Sequence, residues 1–325
     1  MSELLTPDEQ AGDVPIVFPV DKSAADRSFR ALLFCSSLIL LAVIAAVTLK
    51  LVFDARSALF YSGLHFLTSD IWDPSLHHPS YGILGDLAGS LVIAMVALAI
   101  ALPVSVATAL MINEYSPRRV RRFLVGLVDL LAAVPGLIFG LWGLRYFSGH
   151  VFGTTKWLSH HANFIPIFRS PEATYGNSLF ICGLVVSVMV VPVITSVCRE
   201  VMSQVPREQC EAALALGGTR WAMITEVILP SARKGIVGGA LLGLGRALGE
   251  TIAVVLILGG GNTLWLHILS PGGGTIPALI VNQFAAVPQQ GESALDLAGL
   301  TLFATTLVIT LTARAIVGRR ATSAT

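Results

Sequence analysis

Charge is scarce in this chain: Asp, Glu, Lys and Arg make up 13% of its 325 residues against 54% hydrophobic, where a soluble domain carries about one quarter charged. A soluble fold is thereby excluded. The roughly ten-residue alternation of an outer-membrane barrel is also missing. Apolar runs such as Ala31 to Phe53 and Leu91 to Ile112 instead exceed the roughly 20 residues that cross a bilayer. Lipid offers backbone amides no partner, so helices are the consistent spanning structure, and the fold class is an all-α integral membrane protein. The four cysteines (Cys35, Cys182, Cys198, Cys210) show no metal-ligand spacing, which predicts free thiols. None of the four lysines (Lys22, Lys50, Lys156, Lys234) follows a glycine. The chain therefore lacks a G-x-x-x-x-G-K-[ST] phosphate loop and is not expected to hydrolyse ATP alone by that route. H-E-x-x-H and G-x-S-x-G are absent as well, against the commonest metalloprotease and hydrolase readings. No catalytic residue, cofactor or metal is expected, and nothing suggests nucleic acid.

What is present is about six spans, placed at 31–53, 83–113, 123–147, 176–198, 235–260 and 294–317. The first apolar run is too long for a signal-peptide core and lacks a clear cleavage site, so it reads as a retained span. Six spans put both termini on one side, and Lys and Arg decide which. The inner segments collect Lys22, Arg27 and Arg30; Arg118, Arg119, Arg121 and Arg122; Arg199, Arg207, Arg220, Arg233 and Lys234; then Arg314, Arg319 and Arg320. The outer loops hold only Arg56, Lys156 and Arg169. Both termini are therefore expected in the cytoplasm. All seven histidines fall in outer segments and, without acidic or thiol partners at helical spacing, receive no metal assignment.

Prolines Pro103, Pro135 and Pro192 are expected to interrupt and bend their spans. In the fifth span Gly235, Gly239 and Gly243, then Gly245 and Gly249, recur every four residues, so one stripe of that helix has almost no side chain and invites close packing. Whether a neighbour in this chain or a partner subunit fills it stays open. The inner loop between the fourth and fifth spans reads Glu211-Ala212-Ala213, three residues, Gly217, nine residues, then Val227-Ile228-Leu229-Pro230. Ala212 to Leu216 favour helix, Gly217 and Gly218 break it, Thr219 can cap a second helix, and Pro230 is expected to end that one before the fifth span. Such a helix-turn-helix is either a rigid lever on the inner side or an amphipathic loop on the head groups.

With those residues the loop resembles the permease subunits of binding-protein-dependent ABC importers, whose signature is E-A-A, three residues, G, nine residues, I-x-L-P, with Val227 here in place of the isoleucine. Gly243-Leu244-Gly245-Arg246-Ala247-Leu248-Gly249-Glu250-Thr251 resembles the fifth-span signature of the phosphate-importer branch. It differs from that of the second permease subunit in such systems. Tyr81-Gly82, Asn113-Glu114-Tyr115, Val134-Pro135-Gly136 through Gly143, and Thr275 to Phe284 extend the likeness from about residue 80 to the C-terminus. The segment Ser148 to Thr174 is unplaced. The resemblance implies the type I importer permease architecture, with a cytoplasmic tail over 1–30 and a first span and outer segment over 31–75. The permease domain occupies 76–317, with its coupling loop at 199–234, and a tail fills 318–325. It also implies a plasma-membrane location and several partners: a second permease subunit, ATPase subunits that receive the loop (Glu211, Ala212, Ala213, Gly217, Leu229, Pro230), and an extracytoplasmic phosphate-binding protein. Phosphate is the implied cargo, with sulfate or molybdate as the alternative oxyanions. A self-sufficient secondary transporter would need an internal repeat, and none is visible.

Among ionisable residues near or within the spans, Lys50, Asp86 and Arg145 lie near outer ends and can snorkel. Asp129 lies near an inner end, where an arginine such as Arg122 is its expected partner. Arg246 and Glu250 stand deep, Arg246 roughly 16 Å into a core of about 30 Å, and their spacing suggests neutralisation on one helical face. The functional alternative gives Arg246 the role of forked oxyanion donor on the substrate pathway, with Glu250 competing for the guanidinium.

Overall fold

A computed structural model describes residues 24–74, 79–169, 176–259 and 267–322; of the tail expected over 1–30, residues 1–23 lie outside them. In chain order the elements are α1 (Ala24–Ser62), α2 (His65–Thr68), β1 (Trp72–Asp73), β2 (Ser80–Tyr81), α3 (Leu84–Leu110), α4 (Arg118–Ala133), α5 (Gly136–Trp142), α6 (Ser148–His161), α7 (Leu179–Ser203), α8 (Arg207–Ala215), α9 (Arg220–Met223), α10 (Leu229–Leu248), α11 (Ile252–Leu258), α12 (Ile276–Gln283) and α13 (Gln289–Thr322). The chain divides into two units, residues 1–50 and 51–325. The described part of the first is one helix with nearly every side chain from Arg27 to Lys50 exposed, as suits a helix whose surroundings are hydrocarbon.

In the second unit α7 is the axis of the core. Its buried Cys182, Val185, Met189, Ile194 and Cys198 meet Ile93, Ala97 and Ala101 of α3 and Leu244 and Ala247 of α10. Gly183 lies against Val96, Ser105 Oγ donates to the Val191 carbonyl at 3.0 Å, and Asn113 Nδ2 donates to the Arg199 carbonyl at 2.8 Å. Those contacts advance together along both chains, so α3 and α7 run parallel. Gly235, Gly239 and Gly243 receive Val201, Val197 and Ile194 in the opposite order, so α10 is antiparallel to α7. This alternation matches the expected order of crossings. It also answers the glycine question: these three pack within the chain, whereas a Cβ on Gly238 or Gly245 would meet open space.

Five helices are long and apolar enough to cross a membrane, and Arg118–Ala133 with Gly136–His161 forms a sixth candidate bent by 89°. The expected span 123–147 is thus not one straight helix. Pro135 lacks an N–H and holds the preceding Val134 at φ −64°, ψ 127°, outside helical space. Pro103 and Pro192, by contrast, sit inside unbroken α3 and α7. Pro230 likewise ends nothing. Helix runs from Arg220 to Leu248, with a π turn at Ile224–Ile228 immediately before Pro230, where a widened turn tolerates the missing donor. A second cluster gathers Ala55, Ala58, Phe66, Tyr81, Ile276, Leu295 and Ala298. Short α12 is held there by Thr275 Oγ1, which accepts from Ala278 N at 3.3 Å, and by Ile276 N donating to Ser90 Oγ at 3.1 Å. The previously unplaced stretch after Phe147 contains α6 and a 3-10 turn at Pro166–Phe168.

Replacing Gly243 with leucine forces a side chain into Ile194 and Val190, and overpacking of this kind costs roughly 1–3 kcal/mol. Gly238→Leu, on the open side, is expected to be neutral in the isolated chain. Thermal unfolding in detergent should show a lower midpoint for Gly243→Leu only; equal midpoints would contradict the packing.

Candidate functional site

Two helix breaks meet in the second unit. One is at Val134–Pro135. The other separates α10 from α11, where Gly249 N donates to the Gly245 carbonyl at 3.1 Å and the helix then stops. Glycines at 136, 140 and 143 share one face, and each is approached closely: Gly136 by the Glu250 carboxylate, Gly140 by the backbone of Ala253, Gly143 by Val185 and Ile257. A Cβ at Gly136 would stand 2.6 Å from Glu250 Oε1, so only glycine leaves the carboxylate its place.

Glu250 Oε1 accepts from Ala253 N at 3.3 Å, while Thr251 Oγ1 turns to the Gly249 carbonyl at 3.1 Å. The carboxylate therefore serves the free amide of the first α11 turn. The expected neutralisation of Arg246 by Glu250 along one helix does not form: α10 ends at Leu248, and no ion pair joins the two among the described residues. Nor does Gly235 begin the helix, so the depth reckoned from it loses its reference. Arg246 lies in the last turn of α10, exposed, with no hydrogen bond or ion pair of its own among the described residues. Its neighbours on the exposed surface include Leu242 and Gly249. A guanidinium with all its donors free beside a helix break is suited to a planar or tetrahedral oxyanion. The charges were legible in sequence, but the closing of Gly136 onto Glu250 was not; Val134-Pro135-Gly136 was its one signal.

At the other end of the same helical run stands the Glu211 to Pro230 loop. α8 closes in a two-bond turn, Gly218 N to the Ala213 carbonyl at 3.1 Å and Gly217 N to the Leu214 carbonyl at 3.0 Å, with Gly217 at φ +84°, a Schellman cap. Thr219 caps α9 by accepting from Ala222 N at 3.2 Å. Glu211, Ala212, Gly217 and Pro230 are exposed, Leu216 and Trp221 project outward at 90% and 67% exposure, and Ala213 and Leu229 lie nearer the bundle. The loop is a projecting turn carrying apolar side chains.

A cavity of about 320 Å³ beside it is lined by Asn113, Glu114, Arg121, Arg207, Cys210 and Glu211. Asn113 explains its place in the Asn-Glu-Tyr motif: besides its bond to Arg199 it accepts from Arg121 Nη2 at 3.1 Å, tying α3, α4 and α7 together. Burial, and then the Glu114 and Glu211 carboxylates, push the Cys210 thiol above its usual range. Asp129 is exposed, without the expected bond to Arg122. Among the described residues no group of three His, Cys, Asp or Glu is placed to hold a metal.

The fold is that of a membrane-embedded importer permease. It is similar to the solved bacterial ABC transporter involved in the import of the acidic polysaccharide alginate, at TM-score 0.60 and 19% identity, covering 91% of this chain and 98% of that one. Residues 101–322 match the family described as Binding-protein-dependent transport system inner membrane component, and the chain belongs to that family. Among its relatives are the Phosphate transport system permease protein PstC of Xylella fastidiosa (strain 9a5c), 36% identical over 89% of this chain and 90% of that protein, and PstC 2 of Mycobacterium bovis (strain ATCC BAA-935 / AF2122/97), 34% identical over 94% and 96%.

Cys210 provides a pH test of the cavity. Because its neighbours and burial disfavour the thiolate, alkylation in a Cys35→Ala background should reach half-maximal rate above the ordinary thiol pKa of about 8.5. Glu211→Gln should move that midpoint down. A midpoint at or below the ordinary value, or one unmoved by the substitution, would contradict the arrangement.

Proposed function

We propose that this protein is the PstC-type permease subunit of an ATP-driven importer, forming half of the pathway by which inorganic phosphate crosses the inner membrane. The observation that carries the reading is likeness along nearly the whole chain to phosphate permeases, together with an arginine left unpaired at a helix break. The partners are a PstA-type permease, PstB-type ATPase subunits and a PstS-type phosphate-binding protein on the outer side. ATP hydrolysis belongs to the ATPase chains, since this sequence has no phosphate-cradling loop. Both termini lie in the cytoplasm, flanking a permease domain over 76–317.

In this reading Leu216 and Trp221 present the coupling turn to the ATPase, and the run Arg220–Leu248 carries displacement to Arg246, about 39 Å away at 1.5 Å per residue. Arg246 offers its fork to the oxyanion. Glu250 shapes the site by holding α11 against Gly136, and its negative charge keeps a dianion from settling too tightly.

Arg246→Gln should abolish ATP-dependent uptake of labelled phosphate with the complex still assembled, and Arg246→Lys should retain little because the fork is lost. Near wild-type uptake by Arg246→Gln would make the arginine scaffolding. Gly217→Leu places a branched side chain at positive φ, a strain of about 1–2 kcal/mol. It should leave the spans inserted while separating ATP hydrolysis from uptake. Wild-type uptake alongside normal ATPase binding would exclude the coupling role.

A further inference from the structure

α4 divides into three faces. Residues 121, 124, 125, 128 and 132 are half-buried and recur at helical spacing, as expected for the side packed on α7. Val120, Phe123, Leu127, Leu130 and Leu131 form an exposed apolar face, with Phe123 and Leu130 each 70% exposed. Between these two, Arg118, Arg122, Gly126, Asp129 and Ala133 are all exposed and recur every three or four residues, a single stripe of charged and very small side chains.

Asp129 lies about 10 Å along the helix beyond Arg122, within the otherwise uncharged stretch from Phe123 to Ala133. Among the described residues its carboxylate has no hydrogen bond or ion pair. Turned to lipid, it would cost on the order of 3 kcal/mol, and an apolar partner surface would strand it in the same way. Water would not. A Cβ at Gly126 meets nothing, so no other part of this chain covers the stripe there. At its far end, three residues past Ala133, Gly136 touches the Glu250 carboxylate. The stripe thus runs from the basic end of α4 to the 89° break beside which Gly136 and Glu250 meet.

We infer that the Arg118, Arg122, Gly126, Asp129, Ala133 face of α4 lines a water-filled inner vestibule through which the transported anion leaves the Arg246 site. Arg118 and Arg122 stand at its cytoplasmic mouth, where their charge draws anions, and Asp129 opposes retention of the anion deeper in. This rests on the transport reading above, but it is tested independently of the cargo.

The test is thiol labelling in the assembled complex, in vesicles that expose the cytoplasmic face, with a charged, impermeant methanethiosulfonate. The background carries Cys35→Ala and Cys210→Ala, the two remaining cysteines being buried. Gly126→Cys and Ala133→Cys should react about tenfold faster than Leu127→Cys and Leu130→Cys, because only hydrated thiols ionise and react. Two probes are used so that a failure of one to assemble leaves the other. Equally slow reaction at all four positions would place the stripe against lipid and overturn the inference. Fast reaction in the isolated chain that is blocked in the complex would make it a partner-subunit face, and would overturn it too. If the labelling pattern holds but labelled phosphate is not taken up, the phosphate reading fails and the vestibule stands.

Discussion

In hydrocarbon, leucine against leucine gains little over leucine against lipid, so this bundle depends on how closely its backbones approach. The approach is made at particular glycines. Gly183 admits Val96, and Gly235, Gly239 and Gly243 admit the branched side chains of α7. With its neighbours fixed on both sides, α7 can carry Pro192 in mid-helix without breaking. The same device, turned from side chain to carboxylate, seats Glu250 on Gly136. Helix packing and the candidate site therefore share one cause: positions where a missing side chain lets another group in.

The breaks decide where charge can reside. A straight α10 would have set Arg246 and Glu250 one turn apart, each neutralising the other. By stopping at Leu248 the chain gives the carboxylate an amide in α11 and leaves the guanidinium its donors. The same run begins just after the projecting Gly217–Gly218 turn, so Arg220–Leu248 joins that turn to the break without interruption. Its Pro230 follows a π turn, which absorbs the proline without dividing the member in two.

Composition and apolar runs made the membrane class and the order of spans legible, and Ala212 to Thr219 made the turn between α8 and α9 legible. Gly217, Gly218 and Thr219 then behaved as their local chemistry requires, because a Schellman cap and an N-cap are decided within a few residues. Proline was legible only in part. Pro103, Pro135 and Pro192 look alike in sequence, but only Pro135 breaks its helix, since the packing around α3 and α7 holds the other two. Beyond the Val134-Pro135-Gly136 break, the fate of Glu250 left no mark in the sequence. Its contact with Gly136 joins residues more than 100 positions apart, and no periodicity records that meeting. Asp129 did not meet Arg122 for a simpler reason: seven residues of unbroken α4 set the two about 10 Å apart along the helix.

The most direct measurement of the central claim is uptake by the complete importer reconstituted in liposomes, comparing phosphate, sulfate and molybdate as competitors for labelled phosphate. The account predicts accumulation only when ATP and the binding protein are both supplied, displaced by unlabelled phosphate and not by equal concentrations of the other two oxyanions. Accumulation driven by a proton gradient with this chain alone, or displacement by sulfate or molybdate as effective as by phosphate, would contradict it.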